Sequence, residues 1–194
     1  MKRLCRIVLS HVESERDTAA DWWKGDGVAA IGFGKTGDLR GLSGDRIRQL
    51  IEIHYPEKTL PGTRQRTPRT PISVDGARDD LLYFRDHVRP ETLILAYQGR
   101  NLVALVGEVK EGYRYSASNR VGSPDAPWRD YQHQVKVDWW SKPSKFHRRH
   151  LSKTVLPELV SWVARRGTIF CKDFEDDQVE TLKHQLREIP SDST

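Results

Sequence analysis

Cysteine, methionine and long apolar runs are what this chain has least of. Among its 194 residues there are two cysteines and one methionine. Cys5 and Cys171 cannot hold a structural zinc ion by themselves, because such sites take four ligands. Nothing in the sequence suggests secretion. The two cysteines are therefore expected as buried thiols in a reducing cytoplasm, with a disulfide between them left open. No apolar run approaches the ~20 residues that a membrane-spanning helix needs. The N-terminal stretch M-K-R-L-C-R-I-V-L-S begins with basic residues, but its apolar part is short and interrupted by Arg6. It reads as a strand, not a signal peptide. These absences set aside zinc-ribbon, disulfide-dense and helical membrane classes.

What is present is a modest core and a basic surface. Hydrophobic residues make up 37% and charged residues 30%, which suits a folded domain and not a disordered one. Lys and Arg exceed Asp and Glu by 32 to 27, a balance that suits a polyanionic partner without requiring one. The length fits one domain, read here as 1–190, with 191–194 a polar tail or the start of a linker.

The hydrophobic pattern predicts strands over 4–9, 28–33, 92–97, 102–110, 113–116, 131–140 and 168–171. Helices are predicted from Ser14 to about Lys24, after Ser43, over 77–88, around Leu156 to Val163, and around Val179 to Leu186. The Gln98-Gly99-Arg100-Asn101 stretch reads as a hairpin turn. Residues 57–72 form a basic Pro/Thr loop and 117–128 a polar one. The strands and helices do not alternate as a βαβ series. The expected class is α+β: a curved sheet or small barrel of about six strands flanked by helices.

Three patterns compete to carry chemistry. Ala29 to Thr36 fits a loose phosphate-loop pattern ending in G-K-T. However, Ala29 sits inside the predicted strand, and Gly37-Asp38-Leu39-Arg40-Gly41 cannot start the helix such a loop requires. Glu108-Val109-Lys110 gives E-x-K at the end of an apolar strand, the arrangement of a magnesium nuclease with Asp79 or Asp80 as the second acid. The same residues also read as the solvated face of a strand. The third pattern is aromatic. Tyr113, Tyr115, Trp128, Tyr131, Trp139 and Trp140 cluster where strands meet loops, and ring faces there can stack on a nucleobase. Of Trp22 and Trp23, at least one is expected in the core. Trp162 reads as core. Trp128 follows Pro127 in a polar loop, where burial is harder to arrange. Trp139 and Trp140 are adjacent on a strand and so face opposite ways, which requires one of them to leave the core side.

The order of these elements resembles the PUA-like superfamily, in its YTH and EVE branch. It is most similar to the EVE-like modules that begin McrB-type modification-dependent restriction proteins. G-V-A-A-I-G-F-G-K-T-G-D-L (27–39) is similar to their glycine-rich second strand. V-G-E-V-K-E-G-Y-R-Y (106–115) is similar to their G-x-Y strand, and V-K-V-D-W (135–139) to their V-x-W strand. The resemblance implies a module that holds a flipped, modified base in an aromatic cage. It implies base-edge contacts from Ser10 and His11, the latter standing where YTH readers carry an amide. It implies cage walls from Phe33 and Trp128 with Tyr113 and Tyr115 nearby, and Trp139 as a cage floor or core piece. Phosphate contacts fall to Arg64, Arg66, Arg69, Lys145, Arg148 and Arg149.

The function expected is a DNA-binding specificity domain of a prokaryotic, cytoplasmic restriction system, without catalysis or a cofactor of its own. Its partners would be duplex DNA carrying N6-methyladenine or 5-methylcytosine, an AAA+ GTPase motor and a nuclease subunit. The alternatives are a magnesium nuclease on Glu108 and Lys110, and a PUA-like reader of methylated RNA.

Overall fold

The computed structural model describes residues 1–9, 16–55, 74–99, 102–117, 131–142, 145–147 and 169–189. Within them seven strands form one curved sheet: β1 (Lys2–Val8), β2 (Val28–Ile31), β3 (Leu93–Gln98), β4 (Leu102–Tyr115), β5 (His133–Trp139), β6 (Phe146–His147) and β7 (Ile169–Phe174). Four α-helices accompany it: α1 (Arg16–Asp26), α2 (Gly44–His54), α3 (Val74–His87) and α4 (Asp176–Glu188). The class is α+β, as the sequence predicts.

The sheet runs β2-β5-β4-β3-β1-β7, with the short β6 also on β4. Its pairs are antiparallel except β1 with β3. Both faces are covered. Cys5, Ile7, Leu9, Ile94 and Ala96 point to one core, shared with Trp23 of α1, Ile47 and Ile51 of α2, and Ala77, Leu81 and Phe84 of α3. Leu4, Leu93, Leu95, Tyr97 and Val106 point to the other, shared with Val179, Leu182 and Leu186 of α4. A strand buried on both faces needs apolar residues at successive positions, which is why β3 reads L-I-L-A-Y without alternation.

The helices follow their local signals. Ser43 accepts a hydrogen bond from the Arg46 amide and caps α2, satisfying a donor the helix cannot. Pro56 follows the last turn of α2, where its ring would clash with a continuing helix. Glu175 and Gln178 form a reciprocal capping box at the start of α4.

Four expectations change. The predicted strands at 102–110 and 113–116 are one strand, β4. The pairing register to β5 shifts twice, around Glu111 and before Arg114, so the ladder continues through what the sequence reads as a break. Strand β2 stops at Ile31, because Phe33 turns into the left-handed region at φ 69°. Trp139 and Trp140 do face opposite ways, yet both are half-buried, each against its own core. A sheet covered on both faces has no outer side for one of them to occupy. Finally, Cys5 and Cys171 are joined in a disulfide between paired positions of β1 and β7. The expectation of free thiols rested on compartment. It did not include the register that sets these two residues opposite one another. The predicted helix around Leu156 to Val163, with Trp162, lies outside the described residues.

Candidate nucleic-acid interface

Phe33, Tyr113 and Tyr115 come together at one end of the sheet, where β2 ends and β5 begins. Their centre is a residue the sequence reading passed over, His133. It opens the inward-facing row His133, Val135, Val137, Trp139 and is fully buried. The Tyr113 ring stacks beside it at 5.9 Å between centroids, and the Tyr115 ring lies tilted at 5.5 Å. Phe33 meets Tyr55 edge-on at 5.3 Å. A histidine heading a core-facing row of period two was the signal available for His133. Tyr55, the last residue before Pro56, gave none.

The hydroxyls here grip the turn from Phe33 to Leu39. The Leu39 amide donates to Tyr113 Oη at 3.1 Å, the Lys35 amide to Tyr55 Oη at 3.1 Å, and Tyr115 Oη donates to the Gly34 carbonyl at 3.0 Å. Thr36 Oγ1 donates to the Phe33 carbonyl at 2.7 Å. The Thr36 and Gly37 amides close the 3-10 turn onto Phe33 and Gly34. The Lys35 and Thr36 amides are therefore spent inside the protein, no α-helix begins at this turn, and it is not built as a phosphate loop.

Burial pushes the Tyr113 hydroxyl up to about 12 and the His133 imidazole down to about 4, the latter against the opposing pull of the Phe33 carbonyl and Asp38. This sets a pH dependence. Above the ordinary histidine value of 6.5, the ring is neutral in both folded and unfolded chains. Between there and about 4, only the unfolded chain takes up the proton, so stability falls as the pH drops. Over the whole window the loss is about 3 kcal/mol. Denaturant midpoints measured from pH 7 to pH 4 should show it, and His133→Asn should flatten that slope. An equal slope in the variant would show that His133 is not its source.

Trp139 stands apart from this group. It stacks on Trp23 at 6.1 Å, and its indole N–H is shared between the carbonyls of Trp23 and Val28 at 2.9 and 3.1 Å. Trp22 packs edge-on against Tyr131 at 6.3 Å. Of the tryptophan pair on α1, Trp23 is fully buried and Trp22 half-buried.

The other expected contacts are dispersed. Lys145 pairs with Asp17 at 3.2 Å, and Asp17 also accepts from Gln98. That places Lys145 where β3 ends and α1 begins. Leu9 donates to Tyr97 at the same end. The Phe33 group sits at the other end: Val103 of β4 pairs with Tyr97, whereas Tyr115 pairs with His133. Ser10, His11, Arg64, Arg66, Arg69, Trp128, Arg148 and Arg149 lie outside the described residues.

Glu108 and Lys110 are both engaged. Glu108 meets Lys183 of α4 at 2.8 Å, with the Lys183 side chain only 9% exposed, and Lys110 lies 3.6 Å from Asp138. Asp79 pairs with Arg78 along α3. Among the described residues no group of three or more His, Cys, Asp or Glu is arranged to hold a metal ion. Glu108 thus works as a tie between sheet and helix. No helix among the described residues is long and apolar enough to cross a membrane.

The family model described as Domain of unknown function (DUF8426) matches residues 8–157. The chain belongs to that family. The DUF8426 match ends before β7 and α4, and both disulfide cysteines fall outside it. No curated protein matches the chain. Among solved structures it is similar to the YTH domain of the Zygosaccharomyces rouxii MRB1 protein in complex with N6-methyladenosine RNA. That likeness has 14% identity and a TM-score of 0.45, and covers 98% of this chain and 90% of that one.

Proposed function

We propose that this DUF8426 member is a non-catalytic nucleic-acid reader that takes a modified base, flipped from duplex DNA, against aromatic side chains. The observation that carries this reading is the half-buried pair Tyr113 and Tyr115 at one end of the sheet, packed on the buried His133 and beside the buried Phe33 and Tyr55. The Ser116 amide donates to the Gln132 carbonyl beside this pair, and Trp128 precedes Tyr131 by three residues in the sequence.

Charge supports the same reading. The chain carries 32 Lys and Arg against 27 Asp and Glu. Arg64, Arg66, Arg69, Arg148 and Arg149 are among them. Such an excess of positive charge suits phosphate contacts, whose contribution falls as salt rises. Lys145, held by Asp17, contributes less.

Flipping a base costs a few kcal/mol, and each aromatic stack returns about 1–3 kcal/mol. A methyl group adds only about 0.8 kcal/mol, so discrimination needs a shaped apolar notch as well. Leu9, which precedes Ser10 and His11 in the chain, lies at the end of the sheet away from the Phe33 group, so the base edge is not assigned to those two residues. We place the protein as the specificity domain of a modification-dependent restriction system. A GTPase motor and a nuclease would be its partners. A reader of methylated RNA is the second reading, carried by the same motifs.

Binding to a panel of duplexes with N6-methyladenine, 5-methylcytosine or no modification, and to methylated single-stranded RNA at fixed salt, separates these. Trp128→Ala should weaken binding of the preferred ligand by about 5- to 150-fold, the worth of one stacked ring. Glu108→Gln, which keeps a hydrogen bond to Lys183, should bind like the wild type. Equal affinity for modified and unmodified strands would end the reader proposal. Magnesium-dependent cleavage lost in Glu108→Gln would revive the nuclease.

A further inference from the structure

We propose that His133 is a positioning residue of this interface: a neutral imidazole, protonated at Nε2, that fixes Phe33 and the 34–39 turn in the shape the nucleic acid meets. The inference rests on the reader function proposed above. The tautomer follows from the partners. His133 Nε2 lies 3.1 Å from the Phe33 carbonyl, which can only accept, so Nε2 carries the proton. Nδ1 is then an acceptor. It lies 2.9 Å from Tyr113 Oη, whose own lone pair already takes the Leu39 amide, leaving its hydroxyl proton for Nδ1. Thr36 Oγ1, 3.1 Å from Nε2, donates to the same Phe33 carbonyl. With the proton on Nε2, each polar atom of this set has a partner.

That arrangement holds both ends of the turn. At its start, three donors converge on the carbonyl of Phe33 (the Thr36 amide, the Thr36 hydroxyl and the imidazole), and the φ of 69° at Phe33 is one that side chains with a β-carbon rarely adopt. At its end, the imidazole reaches the Leu39 amide through Tyr113. The exposed Lys35 lies between these anchors. Burial keeps the ring uncharged. The charged groups facing it are Asp38 and, beside Tyr113, Arg40, which are paired with each other. A neutral ring with a fixed tautomer defines the turn without adding charge beneath a surface that meets phosphates. Tyr113 and Tyr115 pack on the imidazole and the Phe33 carbonyl accepts from it, so the ring touches all three residues.

The test uses the full chain. Nitrogen-15 NMR of the His133 ring should show a proton on Nε2 and an unchanged spectrum from pH 8 to pH 5. A proton on Nδ1, or a titration centred near the ordinary histidine value, would overturn the assignment. Thr36→Val and Tyr113→Phe each remove one hydroxyl from the chain and keep the packing. Each should weaken binding to duplexes carrying N6-methyladenine or 5-methylcytosine by about tenfold, the worth of a hydrogen-bonded anchor. The dependence of log affinity on log salt should stay unchanged, since no phosphate contact is lost, and thermal unfolding should stay cooperative. Variants that bind like the wild type would overturn the positioning role. A wild-type protein that prefers no modified strand would instead remove the reader function, a different result from the same plates.

Discussion

Replacing both Cys5 and Cys171 by alanine should lower the unfolding free energy by about 2–5 kcal/mol. The two are 166 residues apart in sequence, so the bond closes a loop of most of the chain. Loop-closure entropy grows only as the logarithm of length, and for a loop of this size the chain-entropy estimate is about 5 kcal/mol. Strain, or structure left in the unfolded chain, brings the observed value below that. At roughly 2–4 °C per kcal/mol for a domain of this length, the melting temperature should fall by about 10 °C. Reduction of the wild type under denaturing conditions should produce the same displacement in its urea midpoint. Coincident midpoints for the oxidised, reduced and double-alanine proteins would show that the bond constrains nothing. The consequence reaches beyond stability. Strand β7 and helix α4, like most of β1, lie outside the stretch matched by the DUF8426 model, and the disulfide joins β7 to β1.

Trp139→Ala should cost about 3–5 kcal/mol, the range for removing a large aromatic from a packed site. Three interactions go at once: the stack on Trp23, the indole N–H shared by two backbone carbonyls, and the contact with Gly107. The carbonyls of Trp23 and Val28 keep their desolvation cost and lose this donor. Gly107 shows how tightly the ring is set. A β-carbon built there would stand 2.6 Å from Trp139 Cε3 and 2.7 Å from the Asp138 carbonyl, so only glycine lets the indole lie across β4. A urea titration of Trp139→Ala beside Trp128→Ala separates structural from binding tryptophans. The first should lose stability whatever its effect on affinity, and the second should lose affinity with its midpoint in place. A Trp139→Ala protein as stable as the wild type would return Trp139 to the cage floor proposed from the family resemblance.

Much of the frame was legible in the sequence because its signals are local. Ser43 and Pro56 bound α2, Ala77, Leu81, Phe84 and Val88 repeat at helical spacing, and Val135 and Val137 alternate with Lys136 and Asp138. Such patterns depend on a few residues and on the period of the backbone. The sequence did not disclose β4 as one strand, because the register shifts near Glu111 are set by pairing with β5. It did not disclose β6 either, a pair of residues that becomes a strand only by lying on Leu102 and Val103.

The site was legible in its parts and not in its arrangement. Phe33, Tyr113 and Tyr115 stand out as aromatic residues at strand ends, and the structure gathers them. His133 and Tyr55 join them only through the fold. Lys145 separates from them because β1 and β3 end where β4 begins, at the opposite end of the strand that carries the tyrosines. Which end of a strand meets which loop is a property of the sheet order, and no local pattern encodes it.

By itself, then, the sequence determined the class: amphipathic helices, apolar strands, no membrane-spanning run, and a basic excess. These follow from composition and from periods of two and 3.6 residues, which act over one or two turns. Tertiary structure alone decided the Cys5–Cys171 bond, the sharing of two cores across one sheet, and the buried imidazole that holds the turn from Phe33 to Leu39. Each of these depends on groups distant in the chain meeting at bonding distance, and that meeting is set by strand register and packing across the whole molecule.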